Sequence, residues 1–316
     1  MRLRYLVAPL VALLALAALA CNGDGSGPTA TPSAVEEAVA APSPAAFPVT
    51  VADSNGKQLI FESPPESIVA LAPSFVEVLF AIGAGDAVVG VDENTDFPPE
   101  AAAKTKLSGF EPSVERIAAL EPDLVIIFFD PGGLEEALEG LGIPVLFLMT
   151  PASIQGVFDQ IELLGRATGH LEEAGALIAD MQDGIDAITE KLADVQEGPS
   201  FFHELDPTLF TTCPGEFIHD MYDTLKARNI ATEAGVPCQL TQEAVIAADP
   251  EVIVLADEFA GESPDTVRAR PGWNSISAVQ NDRIYVIDPY IVSLPGPRLV
   301  EALRTLAAYL YPERFP

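Results

Sequence analysis

Residues 170–198 read HLEEAGALIADMQDGIDAITEKLADVQEG. Leu171, Ala174, Leu177, Ile178, Met181, Ile185, Ile188 and Leu192 recur in steps of three and four. On a 3.6-residue repeat that spacing makes one apolar stripe. Glu172, Glu173, Asp180, Asp183, Asp186 and Glu190 take the other side, and Gly169 and Gly198-Pro199 bound the stretch. The pattern predicts a single helix of about 26 residues, roughly 39 Å long, enough to span a small domain.

The flanks of this helix give it its place. Before it, residues 115–126 read ERIAALEPDLVI; after it, residues 243–254 read EAVIAADPEVIV, 128 positions later. In each, an acid-proline step stops a helix, because proline disfavours the right-handed helical region at the residue before it. A short β-branched run follows, as expected for a strand covered on both faces. The halves therefore read as two related α/β lobes, over 48–168 and 199–316, each with a central sheet. The helix over 170–198 joins them, and a ligand cleft lies between the strand ends.

Composition narrows the function. Lys and Arg number 16 against 47 Asp and Glu, a net charge of −31. Nucleic-acid binding, which draws on cations at phosphates, is excluded as a reading. Three cysteines, three histidines and four methionines offer no zinc-ligand spacing and little material for a soft-metal site, so no resident metal or cofactor is expected. There is no Gly-x-Ser-x-Gly elbow and no phosphate-binding glycine loop.

Arg2 and Arg4 precede an apolar run from Tyr5 to Ala20 that is shorter than a comfortable membrane span. Ala18-Leu19-Ala20-Cys21 resembles the lipobox of bacterial lipoproteins. That resemblance implies a signal peptide over 1–20, lipidation of Cys21, and anchorage on the outer side of the cell membrane. Residues 21–47 are rich in Gly, Ser, Thr, Pro and Ala and read as a flexible tether. Pro48 to Phe61 then reads as a hairpin around Asp53-Ser54-Asn55-Gly56. A helix Phe75–Ile82 follows a buried strand, with Ser74 placed to cap it. In an exported chain, Cys213 and Cys238 are expected to form a disulfide.

Residues 68–91, Asp96-Phe97-Pro98-Pro99-Glu100, residues 115–127, and Pro271-Gly272-Trp273 with Arg283–Asp288 together resemble the vitamin B12 and ferric-siderophore binding proteins of ABC importers, closest to the cobalamin branch. The resemblance covers roughly residues 66 to 312 and implies two lobes on one backbone helix. It also implies a non-enzymatic, monomeric receptor that captures a small-molecule metal chelate and passes it to an ABC permease dimer with its cytoplasmic ATPase. Carried onto this chain, the ligand slot would draw on Ser74, Phe75, Asn94, Phe97, Phe110, His203, Phe210, Tyr290 and Ser293. Cobalamin or another corrinoid is the expected ligand. Phe110 stands where a tryptophan is common and the expected aromatic near Asn94 is absent, which keeps a ferric siderophore or haem open, with His203 as a candidate metal ligand. Permease docking would use Glu115 and Glu216, with Glu243 a rival for the second place. Two other classes remain: a small-molecule enzyme on a related two-lobed fold, and a surface lipoprotein that binds a protein partner through its acidic face.

Overall fold

The computed structural model describes residues 47–231 and 238–316. The expected leader, Cys21 and the tether up to residue 46 lie outside the described residues. The chain enters through an antiparallel hairpin, β1 (Val49–Ala52) and β2 (Gln58–Phe61). The Asp53 carboxylate closes the turn by accepting the N–H groups of Asn55 and Lys57, both at 2.8 Å. Gly56 takes the left-handed conformation the turn requires, with φ 82°.

The first sheet is built from β3 (Ile68–Ala70), α1 (Pro73–Ala81), β4 (Val88–Asp92), β5 (Thr105–Leu107), α2 (Val114–Ala118), β6 (Leu124–Ile127), α3 (Leu134–Glu139) and β7 (Val145–Phe147). Its five strands are parallel in the order β5-β4-β3-β6-β7. The winding reverses beside β3, and a crevice opens past the strand ends at such a reversal. Next come α4 (Ile154–Thr168) and α5 (Leu171–Glu190). The second sheet follows through β8 (Ser200–Glu204), α6 (Phe217–Thr224), β9 (Arg228–Asn229), α7 (Gln242–Ala248), β10 (Val252–Leu255), α8 (Pro264–Ala269), α9 (Ser277–Gln280), β11 (Ile284–Val286), α10 (Pro289–Val292) and α11 (Leu299–Leu310). Its strands are parallel in the order β11-β10-β8-β9, with the reversal between β8 and β10.

The internal echo is present in backbone detail. The Ser113 hydroxyl caps α2 by accepting the Arg116 N–H, and the Thr241 hydroxyl caps α7 by accepting the Ala244 N–H. The acid before each proline, Glu121 and Asp249, turns left-handed at φ 48° and φ 47°. The strands that follow, β6 and β10, are buried throughout.

Two local expectations need correction. The connecting helix ends at Glu190, after 20 residues and about 30 Å, instead of reaching Gly198. Beyond it Lys226 Nζ donates to the carbonyls of Leu192 and Val195, and Arg314 donates to that of Lys191. Side chains thus satisfy the carbonyls that a longer helix would have bonded. Two further helices flank the connecting one. α4 packs along α5, with Gly165 leaving room for the Ala174 methyl, and α11 packs against α5 where Gly184 receives Val300. One continuous buried cluster runs from Val51 and Leu59 of the hairpin through α1, α4 and α5 to Phe201, Tyr222 and Leu303. Finally, α1 starts two residues earlier than expected. Pro73 occupies the first turn, where its missing N–H costs nothing, and Ser74 lies inside the helix and does not cap it. Among the described residues, no helix is long and apolar enough to cross a membrane.

Candidate ligand cavity between the lobes

The crevice past the first sheet holds a cavity of about 340 Å³. Its first wall is the start of α1 (Ala72 to Phe75) with Asp92 and Asn94 after β4, Phe110 after β5 and Phe128 after β6. Thr150, Pro151 and Gln160, at the approach to α4 and on it, line a second side. The opposite wall is the lobe-2 segment of Tyr290, Ser293, Leu294 and Pro295. Of the residues expected at the slot, Ser74, Phe75, Asn94, Phe110, Tyr290 and Ser293 come together here.

Asp92 organises the first wall. It is 2% exposed, and its two oxygens accept the N–H groups of Asn94 and Gly109, each at 2.9 Å. One carboxylate thereby ties the loop after β4 to the loop after β5. Gly109 is required for this, since a Cβ there would sit 2.6 Å from the same carboxylate and from the Leu71 carbonyl. Phe110 is 60% exposed and stands edge-on to Phe128, ring centroids 5.4 Å apart. Tyr290 faces it from the other lobe, 47% exposed, on a short helix capped by the Asp288 carboxylate. A groove of about 480 Å³ over Phe129 and Met149 continues from the cavity through the shared residues Phe128 and Thr150. No lysine, arginine or histidine is among the described residues that line the cavity.

Three expected slot residues lie elsewhere. Phe97 sits beside a neighbouring hollow with Glu77 and Phe80, its ring 4.7 Å from the Arg298 guanidinium. Phe210 is on the loop after β8, 38% exposed, bridged to Gln239 and away from the cavity wall. His203 is wholly buried. Its Nδ1 is 2.8 Å from the Tyr222 hydroxyl, and burial pushes its pKa down to about 3. Along β8 the parity of the strand points Phe201 and His203 at the α6 side, where Tyr222 packs, and Phe202 and Glu204 at the face covered by α7, α8 and α9. The expectation that His203 reaches the cleft is therefore corrected to a neutral ring inside the core on the α6 side.

The matching position in lobe 2 is filled. Past the ends of β8 and β10, Arg270 forks onto the buried Glu204 at 2.5 and 2.6 Å, reaches Glu262 at 2.6 Å, and lies 4.5 Å over the Trp273 ring. Asp257 is fully buried beside them, and neither of its carboxylate oxygens has a hydrogen-bond partner among the described residues. Burial, with the charges of Glu204 and Glu262, pushes its pKa up to about 7.

Glu115 and Glu216 are both exposed and sit at helix starts past strand ends. The Glu115 carboxylate is held below its usual range by its own backbone N–H and by the Ser113 hydroxyl at 3.0 Å. Glu216 accepts the Cys213 N–H at 2.8 Å. Cys213 is bonded to Cys238 as a disulfide, Cα atoms 5.6 Å apart, which fixes the approach to α6. Sequence reasoning missed Asp92, Phe128, Thr150, Gln160 and the Leu294-Pro295 step. Only Asp92 carried a signal, as an acid ending an apolar strand.

A family model described as periplasmic binding protein matches residues 68–291. An uncharacterized ABC transporter substrate-binding lipoprotein of Bacillus subtilis is 33% identical over 96% of this chain and 97% of its own length. A cobalamin-binding protein of Halobacterium salinarum is 29% identical over 83% of this chain and 73% of its own. Among solved structures, a periplasmic heme-binding protein of Roseiflexus, in its apo form, superposes with a TM-score of 0.71 at 25% identity, covering 79% of this chain and 99% of that one. The family model covers residues 68–291 and the lipoprotein relative covers nearly the whole chain, so the chain belongs to the periplasmic binding protein family, as a substrate-binding protein of an ABC transporter.

Proposed function

We propose that this protein is the lipid-anchored, extracytoplasmic receptor for cobalamin or a closely related corrinoid. The observation that carries the reading is the chemistry of the cavity wall. It is aromatic at the mouth (Phe110, Phe128, Tyr290) and set with neutral hydrogen-bonding groups (Ser74, Asn94, Thr150, Gln160, Ser293). It holds one buried carboxylate, Asp92, and is without a cationic side chain among the described residues. A flat macrocycle with a periphery of neutral amides suits it: its faces rest on the rings and its N–H groups meet acceptors. The groove over Phe129 gives a broad ligand room beyond the cavity itself. Haem and ferric tris-catecholates present several negative charges that a cavity with a carboxylate and no cation disfavours, in a chain of net charge −31. The cobalamin-binding relative supports the same ligand.

Anchorage is supported by the lipobox-like residues ending at Cys21 and by the lipoprotein relative. Docking on a permease dimer is assigned to Glu115 and Glu216, one exposed acid per lobe, meeting basic residues on the two subunits. The test is calorimetry on residues 47–316 with cyanocobalamin, hemin and a ferric tris-catecholate in parallel. One-to-one heat with cyanocobalamin alone is expected. Binding of hemin or the catecholate with none of cyanocobalamin overturns the ligand assignment. Trp273 is fully buried on the outer side of lobe 2, so its fluorescence is a poor reporter of this cavity.

A further inference from the structure

Glu77 lies on α1 of lobe 1 and is 3% exposed; Arg298 stands at the head of α11 in lobe 2. Arg298 Nη2 donates to Glu77 Oε1 at 2.5 Å, and Nε lies 3.1 Å from both carboxylate oxygens. Among the described residues, this is the one ion pair that joins the two lobes. Its surroundings connect it to the cavity. The same guanidinium covers the Phe97 ring and donates to the Tyr290 carbonyl at 3.4 Å. Tyr290, Ser293, Leu294 and Pro295, the whole lobe-2 wall, lie in the nine residues before Arg298. Ser74 and Phe75 of the opposite wall precede Glu77 within one helical turn. Gly296 brings the backbone of the lobe-2 segment against both Glu77 and Ser74, within 4 Å of where its Cβ would be.

We propose that Glu77 and Arg298 are a positioning pair that sets the angle between the lobes and so holds the two walls of the cavity at ligand-binding separation. The pair suits the task physically. A planar guanidinium on a carboxylate is a two-point contact that fixes orientation as well as distance. Burial of Glu77 makes separation costly, because it would leave a desolvated carboxylate without its cation. Arg298 is not among the residues that line the cavity; it acts through Tyr290 and the segment that follows it. That the cavity binds a corrinoid rests on the reading above, but the lobe angle does not.

The experiment separates the two. Spin labels are placed at the exposed positions Ala137→Cys on α3 and Ala269→Cys on α8, in residues 47–316 with the native disulfide intact. The interlobe distance distribution is read by pulsed electron resonance without ligand. The parent should give a narrow distribution. Arg298→Met and Glu77→Gln should each broaden it or shift its mean by a few ångströms, and the exchanged pair Glu77→Arg with Arg298→Glu should narrow it again. Cyanocobalamin should then dissociate about ten-fold faster from either single variant. Circular dichroism melts identify folded variants; should Arg298→Met not fold, Arg298→Lys, which keeps charge and loses the fork, takes its place. A lowered melting temperature with an unchanged distance distribution overturns the proposal, since the pair would then be structural only. A broadened distribution with no cyanocobalamin binding to the parent supports the latch and removes the corrinoid.

Discussion

The two lobes repeat one plan and use its reversal point in opposite ways. In lobe 1 the crevice beside β3 is left open, with Asp92 spending its oxygens on two loop N–H groups, so that the loops stand clear of a cavity. In lobe 2 the equivalent crevice beside β8 is plugged by Arg270, Glu204, Glu262 and Asp257, with the Arg270 guanidinium stacked on the Trp273 ring. The same topology thus supplies a receptor wall on one side and a rigid wall-bearer on the other. What differs is whether long charged side chains grow inward from the following helix. Arg270 follows α8; α2 and α3 send no such group into lobe 1's crevice.

Removing the plug's cation should break lobe 2 most severely. Arg270→Met leaves Glu204 buried without its partner and should cost about 3–5 kcal/mol, read as a large fall in the denaturant midpoint. Next is the disulfide, which also belongs to lobe 2 alone. Replacing Cys213 and Cys238 by serine removes a crosslink of sequence separation 25 and should cost about 3 kcal/mol in the chain-entropy account. Third is pH. The Asp257 carboxyl is raised to about 7 in the fold, so the stability tied to its proton is complete below the ordinary aspartate range. That stability is lost as pH climbs from there through 7. Asp257→Asn removes the titrating group and should flatten this slope, raising stability at pH 8 by roughly 1–3 kcal/mol in melts across a pH series. Phe110→Ala sharpens the contrast from the other side. The ring is 60% exposed, so stability should move by under about 1 kcal/mol, whereas cyanocobalamin affinity should fall about ten- to a hundred-fold by calorimetry. The smallest effect compares the paired left-handed turns. Glu121→Gly should be neutral or stabilise by up to about 1 kcal/mol. Asp249→Gly should destabilise, because Asp249 also accepts the Ser277 N–H and hydroxyl.

Much of this plan was readable in the chain. The acid-proline steps at 121–122 and 249–250, and the apolar runs after them, encode local events: a cap, a left-handed stop, a doubly covered strand. The cavity residues that follow strand ends, such as Ser74, Asn94 and Phe110, were legible because topology places strand ends together. Orientation within fully buried segments was not. Phe201-Phe202-His203-Glu204 is covered on both faces, so no polar alternation marks which face His203 takes, and only the packing of Tyr222 decides it. The helix over 170–198 was overextended because Lys226 and Arg314, which bond the carbonyls past Glu190, lie far along the sequence. Glu77 and Arg298, 221 residues apart, leave no local trace at all.

The buried cluster that threads from the hairpin through α4 and α5 to α11 has a consequence for dissection of the molecule. A chain cut in the turns between Glu190 and Ser200 would yield two pieces, each exposing half of one apolar seam and neither able to cover it alone. Such pieces should behave as complementing fragments, unfolded apart and native when mixed. Shuffling lobes between relatives would accordingly have to carry α4, α5 and α11 as one cassette, because the unit of inheritance here is the seam and not the lobe.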